Sequence, residues 1–337
     1  MPEKILVIQT AFIGDAILTL PMIEKLAQKY PSAVIDVIAI PSTGEIFRNS
    51  PFVNEVLIFE KRGKHKSLRG IFRFASELKK RNYSRLFSPH RSFRTSLLVL
   101  LSGIGDTSGF NTSSMSFVYK NRIQYRTDFH EVRRLLEIAG FETDADNWKM
   151  LPEIKESRET MEKIDSLFTG LGNNIIAMAP GSVWETKKYP AESYIELAKM
   201  FIEKGYRVLL LGSSQDEELC CRIAAQCQGG ALCLAGKYSL TESVYILKKC
   251  RLLISNDSAP THMSLMARIP VVTLFCSTLP SFGFYPYHSG SIYLSYELLS
   301  CKPCGIHGLK KCPLGTFECA FKLAPAFVFE QAKQLLS

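Results

Sequence analysis

The sequence predicts an α/β protein made of two doubly wound parallel sheets. Two passages, one starting at Lys4 and one at Asn174, repeat the same order of apolar strand, small-residue turn and amphipathic helix. The predicted strands are continuous apolar runs, which is typical of parallel strands buried on both faces. A length of 337 residues also suits two domains better than one core.

In the first passage the apolar strand covers residues 5–8, the turn residues 11–15, and the helix continues to Tyr30. Further strands are predicted at residues 34–40, 55–59 and 84–88. Each of these runs is short, apolar and followed by turn or helix residues.

The second passage predicts strands at residues 175–179, 206–211, 231–234, 252–255 and 271–275, and helices at residues 194–203, 217–227, 241–249 and 263–267. A charged helix over residues 155–168 and a Gly/Asn stretch at 170–174 separate the halves. We therefore expect domains at residues 1–170 and 171–337. Ligands of such sheets bind beyond the carboxyl ends of the strands, so facing domains would place the active site in a central cleft.

Cysteine content and apolar runs exclude several classes of protein. All ten cysteines follow residue 219, which argues against a secreted disulfide scaffold and favours the cytosol. Residues 1–8 run directly into a strand without the leader of a signal peptide. The sequence has no run of eighteen apolar residues that would predict a membrane-spanning helix.

The formal net charge is +9, and much of the excess lies in one basic run. Its members are Lys61, Arg62, Lys64, His65, Lys66, Arg69 and Arg73. Such a run suits nucleic acid, a membrane surface or a phosphorylated substrate, although a solvated face without any ligand is an equal alternative. Dinucleotide-binding and P-loop glycine motifs are missing, which disfavours a nicotinamide dehydrogenase or a P-loop NTPase.

Residues 255–262 follow an apolar strand and begin a helix. Asp257 or Ser258 can cap this helix, and Pro260 fits its first turn. Free backbone N–H groups at such an end favour an anion. The alternative is an ordinary capped helix in which His262 only packs.

Two more candidate segments follow predicted strands. Residues 179–190 contain a Pro-Gly-Ser turn and then Lys187 and Lys188, which would bring cations to the sheet edge, unless this is a solvated loop. Gly14 and Asp15 open the first helix, where Asp15 has a strong alternative explanation as a helix cap.

In this order, these segments resemble the ADP-heptose:lipopolysaccharide heptosyltransferases, which form glycosyltransferase family nine and have the GT-B fold. The resemblance covers nearly the whole chain, and the tail from Cys301 to Cys319 is most similar to the heptosyltransferase II branch. The segments that carry it are residues 5–21 with Ile13-Gly14-Asp15-Ala16, residues 89–96, residues 180–190, residues 256–262 and residues 270–277. The chain departs from the family pattern at two positions. At Ala259, where Gly is usual, the side chain would restrict how closely the backbone can approach the diphosphate. At Tyr189, Trp is usual.

The resemblance implies an inverting transfer of heptose from ADP-heptose to Kdo-lipid A or heptosyl-Kdo-lipid A. It implies Asp15 as the catalytic base and Lys187 as the lysine on the leaving diphosphate. The implied donor site further contains Gly14, Ser182, Ser213, Asp216, Asp257, Ser258, Ala259 and His262. The expected acceptor site contains Lys61, Arg62, Lys64, His90, Arg91 and Arg94. Such an enzyme would be cytoplasmic and peripheral to the inner leaflet of the inner membrane, with no nucleic-acid partner.

We expect no cofactor and no metal, because lysine and a helix terminus can supply the charge that a diphosphate needs. The minority alternative is a small zinc site of Cys301, Cys304, Cys312 and Cys319, with reduced thiols or an adventitious disulfide as the main expectation. Two rival functions stay open. One is a related GT-B transferase or epimerase with another nucleotide sugar, and the other is a basic α/β module that binds nucleic acid.

Overall fold

The computed structural model describes residues 3–155 and 157–336. The chain forms two compact units, residues 1–155 and residues 156–337. The unit boundary therefore lies earlier in the chain than the predicted domain boundary after residue 170. The helix Arg158–Phe168 belongs to the second unit. Its Lys163 pairs with Glu242 at 2.5 Å, and its Asp165 pairs with Lys249 at 2.6 Å.

The first unit is built on six parallel strands in the order β3-β2-β1-β4-β5-β6. The strands are β1 Lys4–Ile8, β2 Val34–Ala39, β3 Glu55–Ile58, β4 Arg85–Ser88, β5 Asp106–Phe110 and β6 Asn121–Ile123. The helices are α1 Ile13–Lys29, α2 Gly44–Arg48, α3 Leu68–Lys79, α4 Phe93–Ser102 and α5 Glu131–Ile138.

The second unit repeats this plan in the order β12-β11-β10-β7-β8-β9. The strands are β7 Ile175–Ala179, β8 Arg207–Leu210, β9 Ala231–Cys233, β10 Leu252–Asn256, β11 Val271–Phe275 and β12 Ile292–Ser295. The helices are α6 Arg158–Phe168, α7 Ala191–Glu203, α8 Glu217–Ala225, α9 Leu240–Lys248, α10 Ala259–Ala267, α11 Glu318–Phe321 and α12 Pro325–Gln334. The predicted pair of doubly wound α/β sheets is thus confirmed.

In each sheet the strand order reverses at one point, so that the connections from the two adjacent strands run to opposite sides. In the first unit it lies between β1 and β4, and in the second between β7 and β10. Crevices form at the carboxyl ends of the strands at such points, because the connecting chain leaves on both sides. The loops after these four strands are therefore where each unit can hold a ligand.

The central strands are buried because their side chains are apolar on both faces. In β7 and β11 every residue is buried, and α7 and α12 cover β7 and β8 through a shared apolar cluster that includes Leu197, Phe201 and Phe329. In the first unit α3 and α4 pack side by side over the sheet, with Ile71, Phe74 and Leu98 in a common core.

Two further observations concern membrane-spanning helices and disulfides. Among the helices of the described residues, none is long and apolar enough to cross a membrane. Cys221 and Cys233 are joined by a disulfide, a pairing that the sequence did not predict. The pairing is possible because α8, which contains Cys221, lies against β9, which ends at Cys233.

Candidate functional site

The loops after β7 and β10 are tied together by the side chain of Asn256, the last residue of β10. Its Oδ1 accepts hydrogen bonds from the Tyr189 N–H at 3.0 Å and the Tyr194 hydroxyl at 3.1 Å. Its Nδ2 donates to the carbonyls of Pro180 at 2.8 Å and Gly181 at 3.3 Å. Because all four groups belong to the loop after β7 or its following helix, Asn256 fixes this loop against β10.

Lys187 and Asp257 meet at this edge of the sheet. The Lys187 Nζ lies 2.6 Å from Asp257 Oδ2, with the two side chains only 14% and 10% exposed. Thr278, which follows β11, donates to the same carboxylate oxygen at 2.6 Å. An ammonium has three N–H donors, so this contact orients Lys187 while leaving it able to donate to a phosphate.

Helix α10 begins directly beside this ion pair. Ser258 is its N-cap residue and Pro260 lies in its first turn, as predicted. The Ser258 hydroxyl donates to backbone carbonyls instead of accepting from the helix N–H groups. The first N–H groups of α10, starting with Ala259, therefore supply positive potential close to Lys187.

His262 lies in the next turn of α10 and is 4% exposed. Burial lowers its pKa to about 4, so the imidazole is neutral at pH 7. The charge of Asp257 raises this pKa and the charge of Lys187 lowers it, and both effects are smaller than that of burial. Among the described residues, its Nδ1 has no hydrogen-bond partner. The packing alternative accounts for its burial but leaves this polar atom unexplained.

Asp216 fills the space between two glycines. A Cβ on Gly181 would lie 2.2 Å from Asp216 Oδ1, and one on Gly212 would lie 2.7 Å from Asp216 Cβ. Its Oδ2 accepts from the backbone and hydroxyl of Ser213 at 2.9 and 2.7 Å. Asp216 and Ser213 are thus in direct contact, while the half-buried Ser182 accepts from the Trp184 N–H at 3.4 Å.

In the first unit, His90 is at the centre of a hydroxyl cluster after β4. Its Nδ1 lies 2.7 Å from Thr95 Oγ1, 3.0 Å from Thr10 Oγ1 and 3.2 Å from Ser92 Oγ. Burial, with help from the charges of Lys61 and Arg91, lowers the pKa of His90 to about 3. A neutral His90 therefore acts as a hydrogen-bonding group and not as a cation.

The predicted acceptor cations separate into two sets. Lys61 donates to the Thr10 carbonyl at 2.6 Å, and Arg94 donates to the Lys61 carbonyl at 2.9 Å, which brings both to the ends of β1 and β4. Arg91 lies beside them, stacked 3.9 Å from the Tyr125 ring. Burial and the Arg94 charge lower the pKa of Lys61 to about 8.

The other predicted cations stay outside this cluster. Arg62 is exposed, and Lys64, with 80% of its side chain exposed, lies 3.6 Å from Glu60. The structure thus brings together Lys61, His90, Arg91 and Arg94, and leaves Arg62 and Lys64 on the surface nearby.

Asp15 is half-buried in the first turn of α1, next to Gly14. Its Oδ2 accepts from the Phe12 N–H at 3.2 Å, so the predicted capping contact is present. Its charge also contributes to the raised pKa of Tyr125, for which burial is the main cause. Asp15 therefore belongs to the same edge of the first unit as Tyr125 and Arg91.

The four tail cysteines line one cavity of about 30 Å³ together with Thr186 and Ser277. Burial opposes the ionisation of Cys312, but backbone N–H groups of residues 314–317 bind its sulfur and hold its pKa below the usual value. Among residues 3–155 and 157–336, no three His, Cys, Asp or Glu side chains are placed to share a metal ion. The alternative zinc site of Cys301, Cys304, Cys312 and Cys319 is therefore not assembled here.

Sequence reasoning left out three residues that organise the site. Asn256 stood inside the quoted motif, yet its four hydrogen bonds depend on the adjacency of β7 and β10. Thr278 and Thr10 each follow a strand, which is the one signal that could have singled them out.

The chain is similar to known glycosyltransferases over most of its length. The sequence profile of glycosyltransferase family 9 (heptosyltransferase) matches residues 71–308. Lipopolysaccharide heptosyltransferase 2 of Escherichia coli K12 is 26% identical over 294 residues, which cover 83% of this chain and 84% of that protein.

Solved structures share the fold. E. coli ADP-heptose lps heptosyltransferase II has a TM-score of 0.79 at 24% identity, covering 99% of this chain and 98% of that one. A glycosyl transferase family 9 protein from Veillonella parvula has a TM-score of 0.83 at 22% identity, covering 99% and 97%. With a family profile that spans more than half of its residues, this chain belongs to glycosyltransferase family 9, the heptosyltransferase family.

Proposed function

We propose that this enzyme transfers heptose from ADP-L-glycero-D-manno-heptose to the lipopolysaccharide inner core, with inversion at the anomeric carbon. The observation that carries the proposal is the Lys187–Asp257 pair beside the start of α10. A lysine and a helix N-terminus at one strand edge form a site for a diphosphate. The similarity to proteins named for ADP-heptose and for lipopolysaccharide supports this donor and this acceptor.

In the donor half of the reaction, the bond between the anomeric carbon and the diphosphate oxygen breaks, and ADP leaves with the electron pair. Lys187 and the N–H groups of Ser258 and Ala259 stabilise the charge that grows on that oxygen. Asp257 and Thr278 hold Lys187 in place. Asp216, packed against Gly181, is suited to accept from the ribose hydroxyls, and His262 completes the wall of the site.

In the acceptor half, a sugar hydroxyl attacks the anomeric carbon and loses its proton. Asp15 is the base in this proposal, because it is a carboxylate at the end of β1 near Arg91 and Tyr125. Lys61, Arg91 and Arg94 form a cationic cluster with the neutral His90, which suits an acceptor bearing carboxylates or phosphates.

The lipid anchor of this acceptor places the enzyme at the cytoplasmic face of the inner membrane. The exposed face of α3 supports such a contact, since Leu68 and Phe72 are 62% and 54% exposed and lie one turn apart. Arg69 and Arg73 are exposed beside them. A face that combines apolar and basic side chains binds anionic lipid through burial and charge together.

Thermal protection and product analysis test the donor and the acceptor. The protein is heated with ADP-heptose, UDP-sugars and GDP-sugars, and protection is expected only from ADP-heptose and ADP. A ligand at a hundred times its Kd adds about 2.7 kcal/mol of stability. Mass spectrometry should then detect one added heptose on heptosyl-Kdo-lipid A or Kdo-lipid A. Protection by another nucleotide sugar, with transfer from it, would contradict the proposal and favour a different transferase.

A further inference from the structure

Thr186, the residue before Lys187, is hydrogen-bonded to Leu309 in the cysteine-rich tail, residues 301–319. Its N–H donates to the Leu309 carbonyl at 3.1 Å, and its hydroxyl accepts from the Leu309 N–H at 2.8 Å. Ser277 donates to the same hydroxyl at 3.0 Å. Thr186 is 3% exposed, so water does not substitute readily for these bonds.

The tail also lies directly against the Lys187 side chain. Gly308 has a φ of +85°, and a Cβ added there would lie 3.0 Å from Lys187 Cγ and 3.1 Å from Thr186 Oγ1. Only a residue without a side chain allows this approach and this backbone conformation together. The backbone of Gly308 therefore borders the aliphatic stem of Lys187.

The tail in turn is fastened to the end of the sheet. The Cys304 N–H donates to the Ser277 carbonyl at 2.8 Å. Lys302 donates to the Phe275 carbonyl and to the Ser295 hydroxyl, both at 2.7 Å, which binds the tail to the ends of β11 and β12. These contacts fix the position of the tail against the ends of β11 and β12.

We propose that the tail segment 301–316 positions Lys187 for the leaving diphosphate, and that Thr186 is the positioning residue through which it acts. This inference rests on the proposed role of Lys187 in donor binding. A lysine has four rotatable side-chain bonds, and ordering them costs binding free energy unless the protein has fixed them beforehand. Asp257 fixes the ammonium end, and Thr186 with Gly308 fixes the backbone and the stem.

Substitutions at Thr186 separate positioning from general stability. Thr186→Val keeps the shape but removes the hydroxyl to which Leu309 and Ser277 donate. Because Lys187 is then held less firmly before ADP arrives, ADP binding should weaken about tenfold or more. Thr186→Ser keeps the hydroxyl and should restore ADP affinity. Titration calorimetry with ADP gives Kd, and thermal unfolding in the absence of ligand gives the effect on stability.

Glycine substitutions in the tail provide a matched pair. Gly308→Ala and Gly305→Ala impose similar backbone strain, because φ is +85° at Gly308 and +72° at Gly305. A Cβ at Gly305 has nothing within 4 Å, whereas one at Gly308 meets Lys187. We expect both variants to lose stability through backbone strain, but only Gly308→Ala to weaken ADP binding and to lower the transfer rate.

A double-mutant cycle decides whether Thr186 acts through Lys187. Lys187→Ala alone should weaken ADP binding, and adding Thr186→Val should then change Kd by less than about twofold, because coupled residues are not additive. If Thr186→Val has its full effect in the Lys187→Ala background, or if Gly305→Ala weakens ADP binding as much as Gly308→Ala, the positioning role is wrong. If Lys187→Ala itself leaves ADP binding intact, the proposed donor site fails instead.

Discussion

Oδ2 of Asp257 accepts from both the Lys187 ammonium and the Thr278 hydroxyl, each at 2.6 Å. The carboxylate therefore has an anchored position before any nucleotide binds. Removing one partner of such a shielded ion pair leaves the other charge without compensation, and this is costly. Lys187 and Asp257 are best considered as one unit in any substitution at this site.

Lys187→Ala should weaken the binding of ADP and ADP-heptose and lower the transfer rate, because charge grows on the departing diphosphate. Lys188→Ala is the matched control, since Lys188 pairs at 2.5 Å with Glu185, which is largely exposed. Calorimetry and initial rates measure both effects. Equal losses for the two lysines would show that Lys187 has no special relation to the diphosphate.

Asp15→Asn should reduce turnover by about 10²- to 10⁴-fold, the usual contribution of a positioned base. ADP affinity should not change. Asparagine retains an oxygen that can accept from the Phe12 N–H, so the start of α1 should stay capped. Turnover is measured by product mass at saturating substrates. A rate above about a tenth of wild type would make Asp15 a helix cap only.

The acceptor KM should depend on pH through Lys61. Its pKa is lowered to about 8 by burial and by Arg94, so Lys61 is charged below this pH and neutral above it. Acceptor KM should therefore rise as the pH increases through about 8, while ADP affinity stays constant. Lys61→Arg keeps its charge in this range and should remove that rise. A pH profile that is the same in both proteins would contradict a role for Lys61.

Vesicle sedimentation tests the basic-apolar face of α3. The protein should bind phosphatidylglycerol vesicles and not phosphatidylcholine vesicles, with weaker binding at high salt. The double change Leu68→Ser and Phe72→Ser should reduce binding several-fold without altering transfer to a short-chain, detergent-soluble acceptor. Leu298→Ser, at an 86% exposed position in the second unit, is the control. Equal binding by the α3 variant and the control would place the contact elsewhere.

Initial rates should be unchanged in excess EDTA, because Lys187 and the α10 N–H groups supply the charge in the proposed mechanism. Rates with and without EDTA and with added Mg²⁺ measure this directly. Activity that disappears in EDTA and returns with Mg²⁺ would overturn the leaving-group mechanism. Intact early rates followed by slow precipitation would instead indicate structural zinc, which the placement of the tail cysteines in the described residues does not predict.

Sequence patterns predicted the elements whose burial is strongest. Strands β7, β10 and β11 are buried and mostly apolar, and their predicted bounds differ from the structure by at most one residue. Strands β5, β6 and β12 were not predicted. In β5 (Asp106–Phe110) and β6 (Asn121–Ile123) most residues are polar or glycine. These strands form because a neighbouring strand offers free hydrogen-bonding groups, and sequence periodicity does not record that.

The site was predictable in its parts but not in its contacts. Lys187 and Asp257 each follow an apolar strand, which marked both as candidates. Their ion pair depends on β7 lying beside β10, and the link from Thr186 to Leu309 depends on the path of the tail. Strand order and loop path come from packing of the whole unit, so a one-dimensional pattern could not reveal them.

The cavity behind Thr186 has a pharmacological consequence. Cys312, with its lowered pKa, is the thiol in that cavity best suited to attack a small electrophile. A covalent adduct there would lie in the cavity that Thr186 and Ser277 also line, directly behind the residue that precedes Lys187. Inhibition of this kind would not be relieved by raising the concentration of the nucleotide sugar, which distinguishes it from inhibition by donor analogues.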